Sequence, residues 1–235
     1  MASPTGLTLY TAGTPNGYKV TVLLEELGLA YEKEPSFVEI SPNGRIPALV
    51  DHDNKGLALF ESGNIMLYLA ERHGKGRFLG QSDAERYSVT GWLFWQMSAL
   101  GPTLGQLFQF THAIKPLNKV PLDRFKLEAT RLFGVMEAAL TKHQYLAGEA
   151  YSIADMSCLP WVAASSVSGM SIYDYPHLAN WAVQLLSRPE VRQGMDSPPT
   201  QYPPLRENKV ALLSGNREAY NKIVDDVRAA QAAAT

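Results

Sequence analysis

The feature that most limits how this chain can fold is the place where its hydrophobic periodicity changes. Short segments with strand character occur only within the first 75 positions, whereas from Ser82 onward every periodic segment follows helical spacing. A glycine-rich stretch at 75–83 separates the two regimes. Strands interleaved with helices predict a small α/β layer, and the remainder predicts an all-helical half. We therefore expect domains over residues 1–80 and 83–200, followed by a tail over 205–235.

Residues 7–11 alternate apolar and polar side chains, as a short strand does. Residues 17–27 read as a helix with Val20, Leu23, Leu24 and Leu27 on one face and Gly28 just past its end. Residues 46–50 and 57–60 are two more strands around a polar turn, and 62–72 form a second helix. The helical half is predicted as long helices over 83–110 and 122–142, a helix over 153–165 that is apolar almost all round, and shorter helices over 176–187 and 189–195. Pro198-Pro199 and Pro203-Pro204 are expected to end the compact body, leaving one amphipathic helix at 217–230 in the tail.

Composition enters as a set of exclusions. With 21 basic and 23 acidic residues the formal charge is −2, which argues against a protein held on nucleic acid by a general positive field. No apolar run approaches the roughly 18 residues of a membrane helix. The first residues lack the basic and apolar regions of a secretion signal, so the expected location is cytoplasmic. Cys158 is the single cysteine, which excludes an intrachain disulfide, a multi-cysteine zinc site and a C-x-x-C redox centre. Thiol chemistry here must therefore use a sulfur from elsewhere. The five histidines, His52, His73, His112, His143 and His177, have no metal-ligand spacing and receive no catalytic role.

Three short motifs have chemical content, and each also has a plain structural reading. Thr14-Pro15-Asn16-Gly17 lies between the first strand and the first helix, where small hydrogen-bonding side chains can cap the helix or favour an anion or thiolate. Arg45-Ile46-Pro47-Ala48 opens a strand with a proline, which can be an ordinary edge residue or a cis proline that leaves Ile46 facing a ligand. In Glu61-Ser62-Gly63, Ser62 can be the N-cap of the following helix, with free N–H groups for a carboxylate, and Glu61 can hold an ammonium group. Ser152 and Asp155 have capping-box spacing, and Cys158 on the same apolar helix reads as a packing residue. Trp92, Phe94, Trp95, Phe108 and Phe110 are core residues by default, with a few members able to face a cleft.

The stretches TPNGYKVTVLLEELGLAYE, SPNGRIPALVD, LFESGNIMLYLAE, WLFWQMSALGPTLGQ and YSIAD occur in this order over residues 7 to about 195. Together they resemble the cytosolic glutathione transferases, in particular the bacterial nu class and the fungal relatives of the nitrogen-catabolite repressor. The resemblance implies a thioredoxin-like N-terminal domain and an all-α C-terminal bundle. It implies that Thr14 and Asn16 face the sulfur of glutathione and that Ile46, before Pro47, bonds its cysteinyl backbone. By the same resemblance Glu61 and Ser62 hold the γ-glutamyl ammonium and carboxylate, while Arg45 and Arg124 are basic positions lining the site. It implies a homodimer, an apolar second substrate and no metal.

One departure from the family pattern lies between Tyr31 and Phe37. Only Glu32 to Ser36 connect them, and five residues span at most about 18 Å, too few for a strand and a return. The expectation is that the second strand is lost, that the first strand becomes a sheet edge, and that the glycine end of glutathione loses its loop.

The function that follows is activation of the glutathione thiol, for addition to an apolar electrophile or for reduction of a disulfide or peroxide. Two alternatives use the same fold: an isomerase or cyclase of specialised metabolism with little or no glutathione dependence, and a non-catalytic regulatory module. The regulatory branch of the family has a long polar N-terminal extension, whereas six residues precede the first strand here.

Overall fold

The computed structural model describes residues 6–34 and 40–233. Its N-terminal part is a four-stranded mixed sheet in the order β2-β1-β3-β4, with β1 Leu7–Tyr10, β2 Tyr31–Glu34, β3 Ala48–Asp51 and β4 Leu57–Phe60. β1 runs parallel to β2, with Leu7 opposite Tyr31, and antiparallel to β3, with Leu7 opposite Asp51. α1 (Pro15–Leu27) connects β1 to β2. Thr14 caps its start, and Gly28 ends it in the left-handed conformation at φ 68°, which glycine adopts without steric cost.

The second strand is present, which corrects the expectation that it was lost. The chain builds β2 from Tyr31 and the first three residues of the short connection, Glu32 to Glu34. Only Tyr31 is even partly covered, and Glu32, Lys33 and Glu34 are exposed. An all-charged edge strand has no apolar alternation to detect, and its charges discourage pairing with a further strand. β1 is therefore an interior strand. The shortened return, with the question of a glycine-binding loop, falls at residues 35–39, outside the described residues.

α2 (Ser62–Tyr68) continues through a π-helical turn at Leu69–His73. The helical half opens with α3 (Asp83–Trp95) and α4 (Gly101–Phe108), joined by a π-turn at Gln96–Leu100 and followed by another at Gln109–Ala113. These form one helical run over 83–113 instead of a regular helix, and π-turns inside helices are common at functional sites. Then come α5 (Lys119–Leu140), α6 (Ile153–Ala163), α7 (Pro176–Leu186) and α8 (Pro189–Gly194). α6 is the buried axis of the bundle, as its apolar circumference predicts. Ser152 and Asp155 complete its capping box, and Asp155 also accepts from Leu146 N at 3.0 Å and Trp181 Nε1 at 2.9 Å.

α1 packs against both α6 and α8 and so joins the two halves. A Cβ added to Gly194 would stand 2.4 Å from Val22 Cα, so α8 can approach α1 only through a glycine. Thr21 Oγ1 donates to Gly194 O at 2.7 Å, and Arg188 donates twice to the buried Glu26 carboxylate, at 2.6 and 2.8 Å.

The proline pairs do not end the compact body. Pro203 opens α9 (Pro203–Leu213), and α10 (Arg217–Ala232) follows it back across the bundle. Tyr220 and Val224, four residues apart on α10, are buried, and Arg228 donates to Gly169 O and Asp174 Oδ2, each at 2.9 Å. A proline at the first helical turn forfeits an N–H that has no partner there anyway, so it starts a helix as readily as it stops one.

Candidate functional site

A cleft of about 730 Å³ opens where the β1–α1 turn faces the helical half. Thr11 to Pro15 form one wall, Leu104, Gly105, Phe108, Gln109 and His112 a second, Trp161 the floor, and Pro198 to Tyr202 a third. The last wall depends on Gly13: a Cβ there would lie 2.6 Å from Thr200 Cα. Phe108, His112 and Tyr202 meet edge to face or tilted, with centroids 4.8 to 5.7 Å apart.

Thr14 lines the cleft, and its Oγ1 accepts the N–H of Gly17 at 3.3 Å. The cap uses an oxygen lone pair and leaves the hydroxyl hydrogen available, so the structural and chemical readings of Thr14 are compatible. Asn16, two residues on, accepts from Trp161 Nε1 at 3.0 Å through its Oδ1. An indole nitrogen can only donate, so the carbonyl end of the amide must face Trp161, and the NH₂ end is presented away from it as a donor.

The residues of the other two motifs are not among those that line this cleft. The Ile46–Pro47 peptide is cis, with Pro47 buried and Arg45 exposed. Ser62 is not the N-cap. Glu61 holds that position at φ 67°, and Ile65 N already donates to Glu61 O at 2.9 Å, which makes Ser62 the first helical residue. Positive φ at a non-glycine residue costs about 1–3 kcal/mol and persists where the surroundings impose it, often at ligand clamps. Asn43 Nδ2 reaches Glu61 Oε1 at 3.5 Å, and Ser62 is buried. Arg124 does not join these residues. It stands exposed on α5, with Glu128 3.8 Å away, outside the cleft walls.

Sequence reasoning missed Lys19, Trp161, His112 and the wall at Pro198 to Tyr202. Lys19 on α1 is 1% exposed and donates to Ser62 Oγ at 3.3 Å and Gln96 Oε1 at 2.5 Å, tying α1 to the start of α2. A lysine and a glutamate seven apart, Lys19 and Glu26, sit in a helix buried almost all round, and that was the available signal. His112 is held neutral by burial, which lowers its pKa, and it bonds Val167 O through Nε2. A carbonyl only accepts, so Nε2 carries the proton and Nδ1 offers a lone pair. Cys158 is buried, and burial pushes its thiol up to about 12, as its packing role requires. Among the described residues no cluster could hold a metal ion, and no helix is long and apolar enough to cross a membrane.

A mixed four-stranded sheet with a capped β1–α1 turn facing an all-helical domain defines a recognisable class. The glutathione S-transferase N-terminal domain matches residues 5–71 and the C-terminal domain matches residues 119–189; the chain belongs to the glutathione S-transferase family. It is 42% identical over 202 residues to the disulfide-bond oxidoreductase YfcG of Escherichia coli, covering 80% of this chain and 93% of that one. It superposes with TM-score 0.77 on a glutathione transferase of Burkholderia graminis with two glutathione molecules bound per subunit, at 37% identity over 84% of this chain and 90% of the other. The glutathione transferase Ure2p6 of Phanerochaete chrysosporium, in complex with oxidized glutathione, also gives TM-score 0.77, at 33% identity over 84% of this chain and 98% of that one.

Proposed function

We propose that this chain is a glutathione-dependent enzyme that ionises the thiol between Thr14 and Asn16 and uses the thiolate as its nucleophile. The observation that carries the reading is the amide of Asn16, oriented by Trp161 so that its donor end points away from the indole. A donor at the sulfur favours thiolate over thiol and lowers the thiol pKa. Attack on an apolar electrophile then forms one S–C bond and expels the leaving group with its electron pair, the thiol proton passing to water. Attack on a disulfide forms a new S–S bond to one sulfur and releases the other as thiolate. A second glutathione thiolate then attacks the glutathionyl sulfur of that mixed disulfide, giving glutathione disulfide and the second product thiol.

In the disulfide branch the exchange runs through glutathione itself and not through a mixed disulfide with the protein, because Cys158 is buried with its thiol pushed up to about 12. The name of the Escherichia coli relative and the oxidized glutathione of the fungal structure agree with the disulfide branch. In this reading Ile46 beside Pro47 bonds the cysteinyl backbone, Glu61 holds the γ-glutamyl ammonium, Ser62 its carboxylate, and Arg45 adds positive charge nearby. Arg124, engaged with Glu128, is the weakest member of the set. The aromatic wall of Phe108, His112 and Tyr202 suits an apolar second substrate.

We read the protein as a cytoplasmic homodimer. Tyr87 and Phe94 on α3 are 78% and 61% exposed, and Leu57 and Phe60 on β4 are exposed as well, an apolar set that suits a two-fold contact. Calorimetry with glutathione and turnover of Asn16→Ala test the main reading: no binding near millimolar, or unchanged turnover, overturns it. Full activity on a model aryl halide supports a detoxifying transferase, and weak activity favours an isomerase or cyclase of specialised metabolism on the same site.

A further inference from the structure

Lys19 is a basic side chain sealed inside the molecule with no carboxylate within ion-pair distance among the described residues. Its Nζ has three hydrogens and three neutral acceptors: Ser62 Oγ at 3.3 Å, Gln96 Oε1 at 2.5 Å and Met97 Sδ at 3.4 Å. Such an arrangement is expensive unless the charge is useful, because burial without a counter-ion penalises the ammonium. Gln96 shows the arrangement is directional. Its carbonyl oxygen is turned to Lys19 while its Nε2 is buried without a partner among the described residues, which is the orientation that serves a cation at a cost to the amide.

In its charged form Lys19 has no lone pair, so Ser62 Oγ then accepts from it and sends its own hydrogen elsewhere. Among the described residues it finds Met97 Sδ at 3.6 Å, a weak partner. A buried cation one hydrogen bond behind a serine, with that serine left as a donor, is electrostatically matched to an anion at the Glu61–Ser62 turn.

We propose that Lys19 is a positioning residue that supplies the buried counter-charge for the γ-glutamyl carboxylate at the Glu61–Ser62 turn, so that ligand binding takes up a proton at Lys19. The inference rests on the glutathione reading given above and assigns a role to a residue that reading leaves unused.

The groups facing Lys19 define the proton balance. From the β4–α2 turn come Glu61 and Ser62, from the π-turn of the helical run Gln96 and Met97, and from α6 Cys158. Burial, the largest influence, lowers the Lys19 pKa to about 7. Cys158 stays a neutral thiol, since its own pKa is pushed up to about 12. Glu61 is therefore the negative group acting on Lys19 near neutrality. In the bound state the γ-glutamyl ammonium offsets its charge, and the ligand carboxylate at Ser62, one hydrogen bond from Nζ, favours the lysine ammonium.

The test uses S-methylglutathione, which has no thiol to titrate, and the whole enzyme. Titration calorimetry at about pH 8 in two buffers of different ionisation enthalpy is expected to find uptake approaching one proton, and affinity is expected to fall about tenfold between pH 6 and pH 8. Lys19→Met is expected to remove both the uptake and the pH dependence, with affinity at low pH reduced to the wild-type level at high pH. Gln96→Glu covers the case in which Lys19→Met does not fold: a carboxylate at Nζ holds the lysine charged, so uptake and pH dependence disappear by the opposite route. Wild-type binding without proton uptake, or with the same pH profile in both variants, overturns the role of Lys19 and leaves the glutathione reading intact. Absence of S-methylglutathione binding at every pH overturns that reading itself.

Discussion

Trp161 of α6 donates its indole N–H to the side-chain oxygen of Asn16 on α1, 3.0 Å away across 145 residues of chain. The bond orients the amide beside the β1–α1 turn, and its removal frees the amide to rotate. Trp161→Phe keeps the apolar ring and deletes the donor. We expect turnover to fall about tenfold, the worth of roughly one net hydrogen bond. Asn16→Ala is expected to lose more, because it deletes the donor instead of misdirecting it. Steady-state kinetics over pH decide the point: in both variants the limb assigned to the thiol should move to higher pH, and an unmoved limb counts against the assignment.

Arg188 and Glu26 hold the two halves together. The Glu26 side chain is 1% exposed and receives two guanidinium N–H bonds, a geometry lysine cannot reproduce. Arg188→Met leaves a buried carboxylate without its partner and should cost about 3 kcal/mol. Adding Glu26→Gln removes the stranded charge and should restore most of the loss. Urea unfolding checks this through the midpoint at constant slope.

Asp155 is surrounded by donors: Leu146 N and Trp181 Nε1 reach Oδ1, and Ser152 N and Oγ reach Oδ2. Asp155→Asn is nearly isosteric but turns an NH₂ group on one of these donor pairs. The expected cost is about 2–3 kcal/mol, from one lost bond and buried donors left unpaired. Thermal unfolding of the variant measures it, and a loss below the experimental error would reject a structural role for the box.

Asp51 gives the fold an acid-sensitive point. Its burial raises the carboxyl pKa, but hydrogen bonds from Tyr68 Oη at 2.6 Å, from the His73 ring at 2.8 Å and from Asn54 N at 3.1 Å outweigh it, so the group stays below its ordinary value. A depressed carboxylate contributes stability that is present above its unfolded pKa of about 4 and is lost as pH falls through the folded value. The melting temperature should therefore decline below about pH 4. Tyr68→Phe should lower stability at neutral pH and narrow its gap to the wild type as pH falls; a gap independent of pH would contradict the linkage.

The legible parts of the fold are those whose causes lie within a few residues. The cap at Thr14, the glycine stop at Gly28 and the Ser152–Asp155 box are patterns of side chain and nearby backbone. α6 was readable as the bundle centre because an all-apolar helix can only be buried. β2 escaped detection because Glu32, Lys33 and Glu34 have no apolar alternation, and their strand state comes from hydrogen bonding to β1. The packing of α9 and α10 escaped for a related reason: prolines mark turns, but whether the chain leaves the body after a turn depends on what receives Tyr220 and Val224.

By itself the sequence determined the division into a strand-bearing and an all-helical half, the cap at Thr14, the stop at Gly28, the Ser152–Asp155 box and the need for a borrowed sulfur beside a buried Cys158, because each follows from local spacing or composition. The tertiary structure alone decided which end of the Asn16 amide faces Trp161, which basic group stands behind Ser62, and that residues 198–202 form a wall of the cleft. Those relations join positions 43, 145 and 187 residues apart. Hydrogen-bond direction and burial at such separations are set by packing, which local spacing does not encode.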